Sequence, residues 1–129
     1  MIVSFRIIQS PIVLAGLVSL LSGAVLADGP QAIATAVQHS GLAANAADID
    51  AVHRHLHHVL NCLVGPDGDG FDAASGNPCA AAGGAIPQTA DAAMKMKLEM
   101  AATQVRGGSA NANIEAAKKV ATDVQAMLR

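Results

Sequence analysis

Apolar positions recur along this chain at helical spacing. Met94, Leu98, Ala101 and Val105 fall at i, i+4, i+7 and i+11, which is one stripe on a 3.6-residue repeat. Ile114, Ala117, Ala121, Val124 and Leu128 form a second stripe. Ile49, Val52, Leu56, Val59, Leu60 and Leu63 share one side of an earlier stretch. The period-two alternation of a strand is found nowhere in the sequence. Breakers then divide the chain into four predicted helices. The first spans about Gln31 to Ser40, from Pro30 to Gly41. The second starts at Asn45, a good N-cap, carries Asp48 in its first turn and ends at Gly65-Pro66. A Gly-, Pro- and Asp-rich loop, "GPDGDGFDAASGNPCAAAGGAIPQ", follows. The third helix is capped by Thr89 and runs to Arg106, "GGS" makes a tight turn, and the fourth runs to about Leu128. So short a turn places the last two helices antiparallel. The expectation is an all-α antiparallel bundle of about four helices with one long loop.

The N-terminal segment has a different pattern. Arg6 precedes an uncharged apolar run, "PIVLAGLVSLL" from Pro11 to Leu21, and then "SGAVLADG". Val25 and Ala27 occupy the −3 and −1 places of a signal-peptidase site. The run is short of the ~20 residues that a membrane span requires. Residues 1–27 therefore read as a signal peptide and 28–129 as a single helical domain, periplasmic or secreted, with no membrane segment left after cleavage. No cysteine lies near the cleavage site to carry a lipid anchor.

Composition narrows the function. Acidic side chains number ten against eight basic, and one of the eight is Arg6 in the leader. That balance offers no footprint for nucleic acid or anionic lipid. Trp and Tyr are absent, and Phe71 is the only aromatic residue of the expected mature chain. A small Ala-rich domain buries little area, so a covalent staple is expected. Cys62 and Cys79, the only two cysteines, would pair in an oxidising compartment. The competing use of Cys62 is as a thiolate ligand.

Candidate chemistry gathers on the second helix, where "HRHLHHVLNC" (His53 to Cys62) holds four histidines. On a helical wheel they divide. His53 and His57 form an i, i+4 pair on one shoulder of the apolar stripe, with Asp50 one turn earlier. His55, His58 and Cys62 lie on the far side. Two imidazoles one turn apart can chelate one ion, and Asp50 is a third ligand or an outer hydrogen-bond acceptor. The pattern lacks the Glu of HExxH, so it is not a metalloprotease helix. The bland alternative leaves His53 and His57 as solvated boundary residues. His55 and His58 rank lower as ligands, and His39 lower still, because it lies away from the Ile33/Val37 stripe of the first helix. Met96 and Met100 form an i, i+4 pair on the third helix. They are either packing residues or soft ligands, and the latter favours copper over zinc or nickel.

Other chemistries fit less well. "DGDGFD" fails as an EF-hand, because Gly65 and Gly76 fall where carboxylates are needed. Neither cysteine begins a CxxCH haem-attachment motif. A non-covalent haem would need His39 with a second-helix histidine, a His57–Met pair, or a dimer. No nucleophile elbow, phosphate loop or dinucleotide fingerprint is visible, and no enzymatic activity is expected.

Two resemblances bear on these expectations. "HLHHVLNCLVG" followed by "GFDAASGNPC" resembles a pattern in small exported bacterial helical proteins of no assigned activity. "AATQVRGGSANANIEAAKKVATDVQAML" is similar in style to the helical hairpins of small periplasmic metal-binding proteins. The second resemblance implies a histidine-borne metal site. In those proteins histidines recur on every helix, whereas the last two helices here have none. That departure tells against high-capacity storage and leaves a single site, or none. The reading is a metal carrier or buffer. Its rivals are an accessory subunit that binds a protein partner or a second copy of itself, and a small haem protein.

Overall fold

The computed structural model describes residues 29–129; the expected signal peptide lies outside the described residues. Five helices follow in order: α1 (Gly29–Ala44), α2 (Ile49–Val64), the single turn α3 (Ala85–Gln88), α4 (Ala92–Ser109) and α5 (Ile114–Leu128). Among the described residues there is no strand, and none of the helices is long and apolar enough to cross a membrane. The four long helices form an antiparallel bundle. α2 packs on α1 and α4, α5 closes the ring against the same two, and α2 also reaches α5. α1 and α4 stand at opposite corners.

One core runs through the bundle. Val52, Leu56, Val59 and Leu63 from α2 meet Leu98, Ala101 and Val105 from α4 and Ala117, Ala121 and Val124 from α5, all fully buried. α1 contributes small side chains, namely Ala32, Ala36, Ser40 and Ala43, while its larger Ile33 and Val37 are only half-buried. Its neighbours can therefore pack close to its backbone. Ser40 satisfies its buried hydroxyl on the Ala36 carbonyl, 2.8 Å away.

Several helix ends differ from the expected ones. α1 continues through Gly41 to Ala44, because Gly41 is a packing position: a Cβ there would meet the Gln125 amide at 2.5 Å. Asn45 bonds back to the Gly41 carbonyl at the end of α1, and the cap of α2 is Asp48, which accepts from the Ala51 N–H at 2.7 Å. Asp91, not Thr89, caps α4. The "GGS" stretch is the last turn of α4, with Gly108 buried where a Cβ would meet Val120 at 2.8 Å. The connection to α5 is Ala110–Asn113. Met94, assigned above to the core stripe, is 38% exposed because the first turn of α4 projects past the core.

The loop from Gly65 to Gly84 folds back on the end of α2, so that this last turn is buried on every side. Cys62 and Cys79 form a disulfide with a Cα–Cα separation of 5.2 Å. Asn61, fully buried, bonds three backbone groups of the loop. Arg106 on α4 donates to the Asp69 carbonyl at 2.7 Å. Within the loop, Ala73–Ser75 make one 3-10 turn capped by Asp72.

Candidate metal centre

The four histidines of α2 point to three different surroundings. The Nε2–H of His53 donates to the Asn111 carbonyl at 2.8 Å, tying α2 to the α4–α5 connection. His57 faces the loop, with Nδ1 buried and 3.7 Å from Oδ2 of Asp72. Asp50 is exposed at the start of α2. His53, His57 and Asp50, the leading ligands on spacing, thus do not converge. Among the described residues, the group of metal-ligating side chains that does converge is His39, His55 and His58.

Each of these three offers a ring nitrogen within 4.8 Å of the others'. Nδ1 of His39 is 3.2 Å from Nδ1 of His55 and 3.2 Å from Nδ1 of His58. Zinc–imidazole bonds of 2.0–2.1 Å at tetrahedral angles set two ligand nitrogens ~3.3 Å apart. Two edges of the triangle already have that length. The rings are half-buried and pack edge-on or tilted, with centroids 4.7 to 5.7 Å apart. That contact leaves no slot for a porphyrin between His39 and the α2 histidines.

The hydrogen-bond arithmetic also favours an ion. The Ser75 carbonyl can only accept, so the Nε2 atom 2.7 Å from it carries the proton of His58. The Nδ1 of neutral His58 is then an unprotonated lone pair aimed at His39. One proton on His39 could serve His58, but a second proton on His55 would then point at a nitrogen that is already protonated. Neutral rings cannot make two good Nδ1–Nδ1 hydrogen bonds at once. Three lone pairs on one cation have no such conflict.

Electrostatics favours the neutral form of His39 and His55. Burial, with the neighbouring charges of His58 and His55 behind it, lowers the His39 pKa from 6.5 to about 4. Burial, then His58 and Arg54, lowers that of His55. Neutral imidazole is the form that binds metal, so no proton need be displaced from these two rings at neutral pH.

In the sequence His39 ranks low as a ligand because the α1 face is set by its largest side chains, Ile33 and Val37. Ala32, Ala36, His39 and Ala43 fall at i, i+4, i+7 and i+11. The alanine face, not the Ile33/Val37 face, meets α2, and His39 sits on it. The other candidate ligands lie elsewhere. Met96 and Met100 are 63% and 54% exposed on α4, and both cysteines are in the disulfide. The chain matches no protein-family model, and no curated protein or solved structure is recognisably similar to it.

Proposed function

We propose that this chain is an exported transition-metal-binding protein that takes one ion through His39, His55 and His58. The observation that carries the reading is the meeting of three imidazoles from two helices, with His39 Nδ1 at tetrahedral-site spacing from Nδ1 of His55 and of His58. Imidazole donors suit zinc, copper(II) and nickel. The case for copper rested on thioether ligands, and Met96 and Met100 sit on α4, which does not touch α1. The donor set now argues for a divalent ion in general. Three protein ligands leave a coordination position for an incoming group, which suits a carrier or buffer that hands its ion on. No reacting group beside the cluster suggests catalysis. A buried disulfide that staples the loop supports an oxidising, exported setting.

The test is titration of the purified protein with zinc and copper(II), with two double variants alongside. His39→Ala/His58→Ala should abolish stoichiometric binding, whereas His53→Ala/His57→Ala should retain it. Equal loss in both, or no binding by the unaltered protein, would contradict the proposal. A second reading, an accessory subunit, has its own observation. Met94, Met96 and Met100 are all exposed on α4, and methionine surfaces adapt readily to partners. Self-association seen by light scattering of the metal-free protein, and lost in Met96→Glu/Met100→Glu, would support it.

A further inference from the structure

We infer that Asn61 is a positioning residue of the metal centre, acting on His58 through the turn it holds. The inference rests on the reading of His39, His55 and His58 as ligands. Asn61 lies three residues after His58 on α2 and is fully buried. Its amide donates to the carbonyls of Asp72 and Gly76, each at 2.7 Å, and its own carbonyl accepts the Asp72 N–H at 2.9 Å. These bonds clamp both ends of the Asp72–Gly76 turn. Between the two ends lies Ser75, whose carbonyl receives Nε2–H of His58.

The path is short: hydrogen bonds at each end, joined by the backbone of the turn. Asn61 sets the position of the turn, the turn sets the Ser75 carbonyl, and that carbonyl fixes which nitrogen of His58 is protonated. Nδ1 is thereby left as the free donor toward His39. Outer hydrogen bonds of this kind fix ligand tautomer and orientation in metal sites and change affinity by about 10- to 100-fold when removed. Merely tethering the loop does not require Asn61, because the disulfide one residue later already does so. A buried amide is costly unless every bond is made. What the amide adds beyond the disulfide is the placement of one carbonyl. Asp72 reinforces the turn by accepting from the Ala74 N–H and the Ser75 hydroxyl. Gly76, at φ 87°, brings the backbone close enough that a Cβ would stand 3.5 Å from His58 Nε2.

Asn61→Asp tests this with almost no change of shape, since it turns two donated bonds into repulsive oxygen contacts. Should it fail to fold, Asn61→Ser removes the clamp without adding a charge, with the disulfide still in place. Two quantities are read. The first is the ring tautomer of His58 in the metal-free protein, from nitrogen–proton correlations in the NMR spectrum. The second is zinc affinity by competition with a chromophoric chelator. The expected result is a single Nε2–H tautomer in the unaltered protein, a mixture in a variant of unchanged helix content, and zinc binding weakened about 10- to 100-fold. A folded variant that keeps both the tautomer and the affinity overturns this inference alone. An unaltered protein that binds no zinc overturns the ligand reading and this inference with it.

Discussion

Two adjacent glycines show how finely position decides a residue's effect. Gly107 and Gly108 both lie in the last turns of α4. A Cβ at Gly107 meets nothing within 4 Å, while at Gly108 it meets Val120 at 2.8 Å and Leu56 at 3.1 Å. Gly107→Ala should therefore stabilise the protein by about 0.5–1 kcal/mol, through helix propensity and lost unfolded-state freedom. Gly108→Ala should destabilise it by about 1–3 kcal/mol, by pressing on the core side chain Leu56 and the half-buried Val120. Urea unfolding of the two variants checks the opposite signs. In the sequence both glycines read as a turn, because a pair of glycines usually ends a helix. Their packing role depends on α5, which the local pattern does not describe. His39 ranks low in the sequence for a similar reason. Its position on the alanine face becomes meaningful only once α2 is known to lie there.

Helical elements were legible because their stripes are long. The core residues of α2 and α5 sit where the 3.6-residue repeat places them, with Ile49 and Ile114 only half-buried at the helix starts. The helix ends were less legible: Asn45 and Thr89 bond back to the preceding turn while Asp48 and Asp91 take the caps, and Gly41 packs against Gln125 of α5. The histidine helix divides its labour by face. His53 stitches α2 to the α4–α5 connection, His57 faces Asp72, and only the outer pair joins His39. The disulfide at the end of α2 is an element-scale staple. Replacing both cysteines by alanine should cost about 3 kcal/mol for a closed loop of this length, measured by denaturant unfolding. Burial of Cys62 and Cys79 means that mild reductant should act slowly on the folded protein.

At the scale of the whole molecule, acid and metal should act on stability in opposite directions. The pKa of His39 is depressed to about 4 in the folded chain and is ordinary when unfolded; that of His55 is lowered too. The unfolded chain therefore takes up protons first as pH falls. The stability of the metal-free protein should be full above pH 6.5, decline down to about pH 4, and flatten below. The carboxyl of Asp72 is held low mainly by the Ser75 hydroxyl and the Ala74 N–H, which adds a loss at still lower pH. Thermal midpoints across pH 3 to 8 check this, and the slope should be shallower in His39→Leu. Metal works the other way. Zinc at 100 times its dissociation constant should add about 2.7 kcal/mol at neutral pH, if it binds only the folded chain.

Whether α1 and α2 share a three-histidine site is decided by X-ray absorption at the edge of the bound metal. The zinc-loaded protein should show three imidazole nitrogens at about 2.0–2.1 Å and the multiple scattering of their rings, with one imidazole lost in His39→Ala. A shell of oxygens, or a spectrum unchanged in His39→Ala but altered in His53→Ala, would contradict it.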